Sequence, residues 1–177
     1  MTFEKEYLRV VKERFRSTKN QGEKAIHQLS EDDIHWVLND ASNSVAVIVK
    51  HLSGNMVSRW TDFLTTDGEK ISRNRDHEFQ NTISSKQELM EIWEKGWKVL
   101  FKEMDELRGT DLMKTIYIRG EGHTALDAIE RQMAHYASHI GQIVYIGKQL
   151  KGENWKSLSI PKGKSEEFLQ QMLKKHQ

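Results

Sequence analysis

TALDAIERQMAHYASHIGQIVYIGKQL, residues 124–150, is the stretch whose reading decides the fold. It contains no proline, Gly152 follows it, and its apolar residues recur at the 3.6-residue spacing of an amphipathic helix. Ile129, Met133, Ile140 and Ile143 form one apolar face. Arg131, Gln132, His135, His139 and Gln142 form a narrow polar stripe beside it, with small Ala128 inside the stripe. A polar stripe bordering a core-facing surface is where a helical bundle holds ligands between its helices; it is also the pattern of a hydrated outer face.

Working outward, the chain repeats this kind of helix. One proline in 177 residues leaves long stretches free to coil. Phe3, Tyr7, Val10, Val11, Phe15, Ile26 and Leu29 predict a helix over about 3–29. Ser30 to Asp33 opens a short helical turn ending near Leu38. Val45, Ile48, Val49, Leu52, Met56, Trp60 and Phe63 predict a second long helix over about 44–64, closed by the turn Asp67-Gly68. Residues 70–84 are polar and aperiodic and read as a loop packed over the bundle. Ser85 and Glu88 form a capping box that opens a third helix reaching about Leu107, with Arg108-Gly109 as its stop. Thr115–Ile118 (TIYI), followed by Gly120 and Gly122, is the one β-like run, enough for a small ribbon. Ser165 begins a last short helix. The expectation is an all-α four-helix bundle with a short β-like ribbon and a small C-terminal helix, one domain over residues 1–177.

Composition narrows the function. Hydrophobic residues are 37% and charged residues 30%, a globular balance, and the net charge of +1 lacks the basic excess that general nucleic-acid binding requires. There are no cysteines, which removes disulfides, thiolate metal sites and a cysteine nucleophile together. MTFEKEYLRVVKERF is charged and amphipathic rather than signal-like, and no run approaches the roughly 20 apolar residues that span a bilayer. A cytoplasmic protein without membrane or nucleic-acid partners is expected.

The eight histidines divide into groups. His27, His35 and His176 stand amid charged residues and read as solvated, while His77 and His123 fall in expected loops. His135 and His139, four apart on one helix, project from one face and can share a metal at about 2.0–2.1 Å. His51 sits in VAVIVKHL, beside Ile48, Leu52 and Met56, and heads a second stripe continued by Asn55, Ser58 and Asp62. If the two stripes face each other, His51 is the third ligand; if not, it is a satisfied core histidine. Three histidines leave a coordination position open, the arrangement of a catalytic site.

IVKHLSGNMVSRW (48–60) and ERQMAHYASHIGQI (130–143) resemble the DinB/YfiT-like superfamily of metal-dependent bundle proteins. FLTTDGEKISRNRDHEF (63–79) resembles one branch of it found in bacilli and their relatives. The resemblance covers nearly the whole chain. It implies that His51, His135 and His139 are the metal ligands, that the ion is divalent, commonly zinc or nickel, and that the protein forms a homodimer, as members of the superfamily frequently do. Relatives of this kind include thiol S-transferases using bacillithiol or mycothiol, a maleylpyruvate isomerase and proposed hydrolases. It does not imply DNA binding.

Two enzymatic readings and one without turnover follow. A divalent ion on neutral imidazoles keeps its full charge, so a bound thiol or water ionises more easily. In the first reading the site activates a low-molecular-weight thiol cosubstrate for transfer to an electrophile; in the second, metal-bound hydroxide hydrolyses an amide or ester. In the third the ion pins the helices of a stress-associated binding protein. Asn55 and Gln142 are candidates to orient a ligand or water, or simply to bond between helices. Glu78 is a candidate base or a carboxylate holding a histidine, or a partner of Arg73 or Arg75. Trp93 and Trp97, four apart, read as core or dimer stripe rather than substrate cage.

Overall fold

Each of the four long helices starts at a hydroxyl. In the computed structural model, which describes residues 2–175, these are α1 (Phe3–Ile26), α2 (Val45–Trp60), α4 (Lys86–Glu106) and α5 (Ala125–Lys151), with a one-turn α3 (Arg75–Glu78) and a C-terminal α6 (Ser165–Lys175). Thr2, Ser44, Ser85 and Thr124 each accept the amide three residues on, at 3.5, 3.2, 3.1 and 3.1 Å, satisfying a donor the first helical turn leaves without a partner. Ser30 does the same for a short 3₁₀ turn at Asp33–His35, and Asp33 returns a bond to the Ser30 amide. That turn is shorter than the sequence suggests: Val37 and Leu38 are exposed and outside it.

The bundle pairs α2 with α4 and α1 with α5. Its core is one contiguous cluster drawn from all four, including Phe15, Trp60, Trp93, Trp97 and Tyr136. The two tryptophans of α4 are therefore core residues. α2 is buried on nearly every side, polar residues included. α4 comes so close at Gly96 that a Cβ there would lie 2.8 Å from the Cα of Ser53. An unpaired buried group costs about 1–3 kcal/mol, and on this enclosed helix His51, Asn55 and Ser58 each have a partner, while Arg59 meets Glu69 through Nη2 and leaves Nε and Nη1 without one.

α2 ends at Trp60, four residues earlier than the apolar periodicity predicts. Asp62 takes a left-handed φ of 50°, and its carbonyl accepts the amides of Thr65 and Thr66, so the chain turns while Phe63 still packs on Trp60. Phe63 keeps the spacing without the helix. Thr115–Ile118 (β1) pairs antiparallel with Glu121–Thr124 (β2), through a tight turn with positive φ at Arg119 and Gly120. Asp67 holds that turn, accepting both amides at 2.9 and 2.8 Å. Among the described residues no helix is long and apolar enough to cross a membrane.

Candidate metal centre

His51 lies on the second turn of α2 and faces α5, where His135 and His139 stand one turn apart. The Nε2 of His135 is 3.3 Å from that of His51 and 3.1 Å from that of His139. One ligand nitrogen from each ring lies within 4.8 Å of the others. Two nitrogens at about 2.0–2.1 Å from one ion in a tetrahedral arrangement stand roughly 3.4 Å apart, so the spacing fits a shared cation.

The far side of the rings fixes which nitrogens are bare. His51 Nδ1 donates to Glu78 Oε2 at 2.9 Å, and His139 Nδ1 donates to Gln142 Oε1 at 3.2 Å. With the proton held at Nδ1, Nε2 of both rings presents a lone pair inward. Lone pairs facing each other at this distance repel unless a cation or proton stands between them. The three histidines could together hold one metal ion.

Glu78 is itself anchored. Arg73 grips it with Nε to Oε1 at 2.7 Å and Nη2 to Oε2 at 2.8 Å, a bidentate pair on side chains that are both buried. Arg73 continues to Glu69 at 3.2 Å, and Glu69 to Arg59 at 3.1 Å. Burial raises the Glu78 pKa, but the bonds from Arg73 and His51 outweigh it and hold the carboxyl below its usual range. Phe79 stacks on the His51 ring at 4.9 Å.

The one-turn α3 delivers these groups. Asn74 caps it by accepting the His77 amide at 3.0 Å, and Glu78 is its last residue. The segment read as a plain loop therefore contains a helical turn; the signal available in the sequence was Asn74 at a cap position before Arg-Asp-His-Glu. Gly54 makes room for it: a Cβ there would meet Glu78 Oε1 at 2.3 Å.

The other candidates separate. Gln142 reaches His139. Asn55 does not reach the histidine nitrogens: its Oδ1 accepts the Tyr136 hydroxyl at 3.0 Å, and the Tyr136 hydroxyl oxygen in turn accepts the Trp60 indole N–H, also at 3.0 Å. Burial explains the difference, since Tyr136 and Trp60 are enclosed and need partners that only the α2–α5 interface supplies. Tyr136, unremarked in the sequence, thus packs behind His135. His27 and His77 are exposed; His35 meets Asn81. His123 lies in β2 rather than a loop and bonds Asp127 at 2.8 Å. His176 lies outside the described residues.

Burial, then the neighbouring His139 and His51, push the His135 imidazole down to about 3, and burial lowers that of His139. Both are thus neutral, the form that ligates metal. In the unfolded chain such a ring titrates at about 6.5. Between those values the unfolded state binds a proton that the folded state refuses, so stability is full above about 6.5 and falls as pH drops toward 3. Urea melts of metal-free protein should lose about 1–2 kcal/mol between pH 7.5 and 5. His135→Gln should shrink that loss, and an unchanged loss would contradict the assignment.

A family model described as "protein of unknown function (DUF1572)" matches residues 2–164. No curated protein and no solved structure matches the chain.

Proposed function

The chain belongs to this DUF1572 family, whose description carries no activity, and we propose from the site itself that it is a metal-dependent enzyme activating a small thiol. The observation that carries the reading is the convergence of three Nε2 atoms whose partner nitrogens, on His51 and His139, are already committed to Glu78 and Gln142. A divalent ion held there supplies Lewis acidity, lowering the pKa of a thiol or water that reaches it.

The residues around the histidines favour the thiol over water. Glu78 is engaged by His51 and Arg73 at once, with a depressed pKa, and is poorly suited to take a proton from water. A thiol, ordinarily near 8.5, needs only a modest shift to ionise at neutral pH and requires no base. The chain has no cysteine, so the thiol comes from a cosubstrate. Glu78 and Gln142 act as positioning residues, fixing the two rings, and Phe79 covers one face of His51. The resemblance of the sequence is to the DinB/YfiT-like superfamily as a whole, which includes thiol S-transferases alongside other activities, and it is compatible with this reading.

The test is a thiol titration of cobalt-loaded protein. 2-Mercaptoethanol should produce a thiolate-to-cobalt absorption band with an apparent pKa roughly one to two units below that of free thiol. Its reaction with monobromobimane should accelerate in parallel. Hydrolysis of a nitrophenyl ester without any thiol band would replace this reading with a hydrolytic one. Neither signal, with cobalt bound, would leave an ion that only ties helices together.

A further inference from the structure

A groove of about 750 Å³ runs along α5 beside the histidines, which do not themselves line it; it begins at Ser138 and at Gln142, the partner of His139, and is walled on its other side by the segment between Trp36 and Asn43. Its position is set by the helices that carry the ligands. Ile48 lies three residues before His51 on α2, and Gln142, which bonds His139, is part of the wall. Tyr145 and Ile146 continue it along α5, and Trp36 and Leu38 face them.

Its chemistry is unlike that of the chain around it. Charged residues make up 30% of the sequence, yet among the described residues none lines this groove; the walls are aromatic, aliphatic, small, or hydroxyl and carboxamide. Leu38 is 71% exposed and Tyr145 64%, so apolar surface stands in solvent on both sides of the opening. The volume falls within the range of small-molecule sites, which pair apolar walls with a few polar groups. A charged ligand would find no counter-charge along these walls and would lose hydration on entering.

We infer that the groove binds the uncharged, largely apolar body of the substrate, an acyl or aryl chain, and places its reacting end at His51, His135 and His139. The inference rests on the metal-site reading above and adds the class of the acceptor: a neutral hydrophobic electrophile rather than an anionic metabolite. Leu38 and Tyr145 grip the chain at the mouth, and Gln142 stands where groove and histidines meet.

Two hydroxamates, which share one metal-binding head, separate groove from metal. Zinc-loaded protein should bind octanohydroxamate roughly tenfold or more tightly than acetohydroxamate, because the longer chain buries several methylenes. Leu38→Asp and Tyr145→Glu, both at exposed positions, should abolish that gain while leaving zinc content and acetohydroxamate affinity unchanged. Equal affinity of the two probes, or a gain that survives both substitutions, would overturn the inference. So would conversion of a dimer to a monomer by Leu38→Asp with probe binding unchanged, which would mark the face as an interface between copies. If the protein takes up no zinc, it is the metal reading that fails, and neutral Nile red tests the groove alone. Binding weakened roughly tenfold by Leu38→Asp supports the groove; unchanged binding overturns it.

Discussion

His135→Ala is expected to remove metal binding: if the proposed site is right, wild-type protein purified without a histidine tag should carry about one divalent ion per chain, zinc or nickel on the proposed reading, and the variant should carry none. His135 is the ring within 3.3 Å of both of the others, so its loss leaves His51 and His139 without the nitrogen that both approach. A four-ligand zinc site supplies about 10–16 kcal/mol, hence about 3–4 kcal/mol for each ligand, or two to three orders of magnitude in affinity. His51→Ala should behave alike from the opposite helix, and His27→Ala, at an exposed position, should retain the metal. Elemental analysis of the four proteins reads this directly. Equal metal in wild type and His135→Ala would end the proposal. Equal melting temperatures of metal-free wild type and metal-free His135→Ala would separate loss of the metal from unfolding.

Gly54→Ala is the second large effect, and its sign runs against helix propensity. Within a helix this change ordinarily stabilises by about 0.5–1 kcal/mol. Here the new methyl would lie 2.3 Å from Oε1 and 2.7 Å from Cδ of Glu78, so the carboxylate must leave His51 Nδ1. Loss of such a supporting bond typically weakens a metal site by about 10–100-fold. Glu78→Gln should give a loss of the same size. The two together should cost no more than the larger alone, since both act through one bond. Isothermal titration of the two single variants and the double variant decides: additive losses would show that Gly54 acts on something other than Glu78.

The sequence made the histidines legible because helical spacing is local information. His135 and His139 share a face by arithmetic, and His51 joins them as soon as α2 and α5 are set side by side. The four long helices were legible for the same reason, each with a hydroxyl at its start. What supports the histidines was harder to read. Glu78 lies 27 residues from His51 and comes from a single helical turn with no apolar periodicity. Arg73 and Gly54 matter through a close contact that spacing does not encode. Asn55 sat on the expected stripe, but the hydroxyl of Tyr136 claims it, and only the packed interface reveals that demand. The partner strand Glu121–Thr124 has little β-propensity of its own and is held by β1 and by Asp67 at the turn.

The enclosure of α2 has a consequence for how the chain is made. VAVIVKHL leaves the ribosome well before the segments that wall it, because α4 and α5 are still to be translated. At about 5–20 residues per second, the interval between the end of α2 and the arrival of His139 is roughly 4–16 s. Until α4 follows, one of the most apolar helices of the molecule has only earlier segments, the short turn at Asp33–His35 among them, for cover, and the face that α5 walls stays open for the whole interval. The polar residues of α2 that end up inside the bundle (His51, Asn55, Ser58 and Arg59) interrupt its apolar run, which is the kind of interruption that disfavours association between exposed segments.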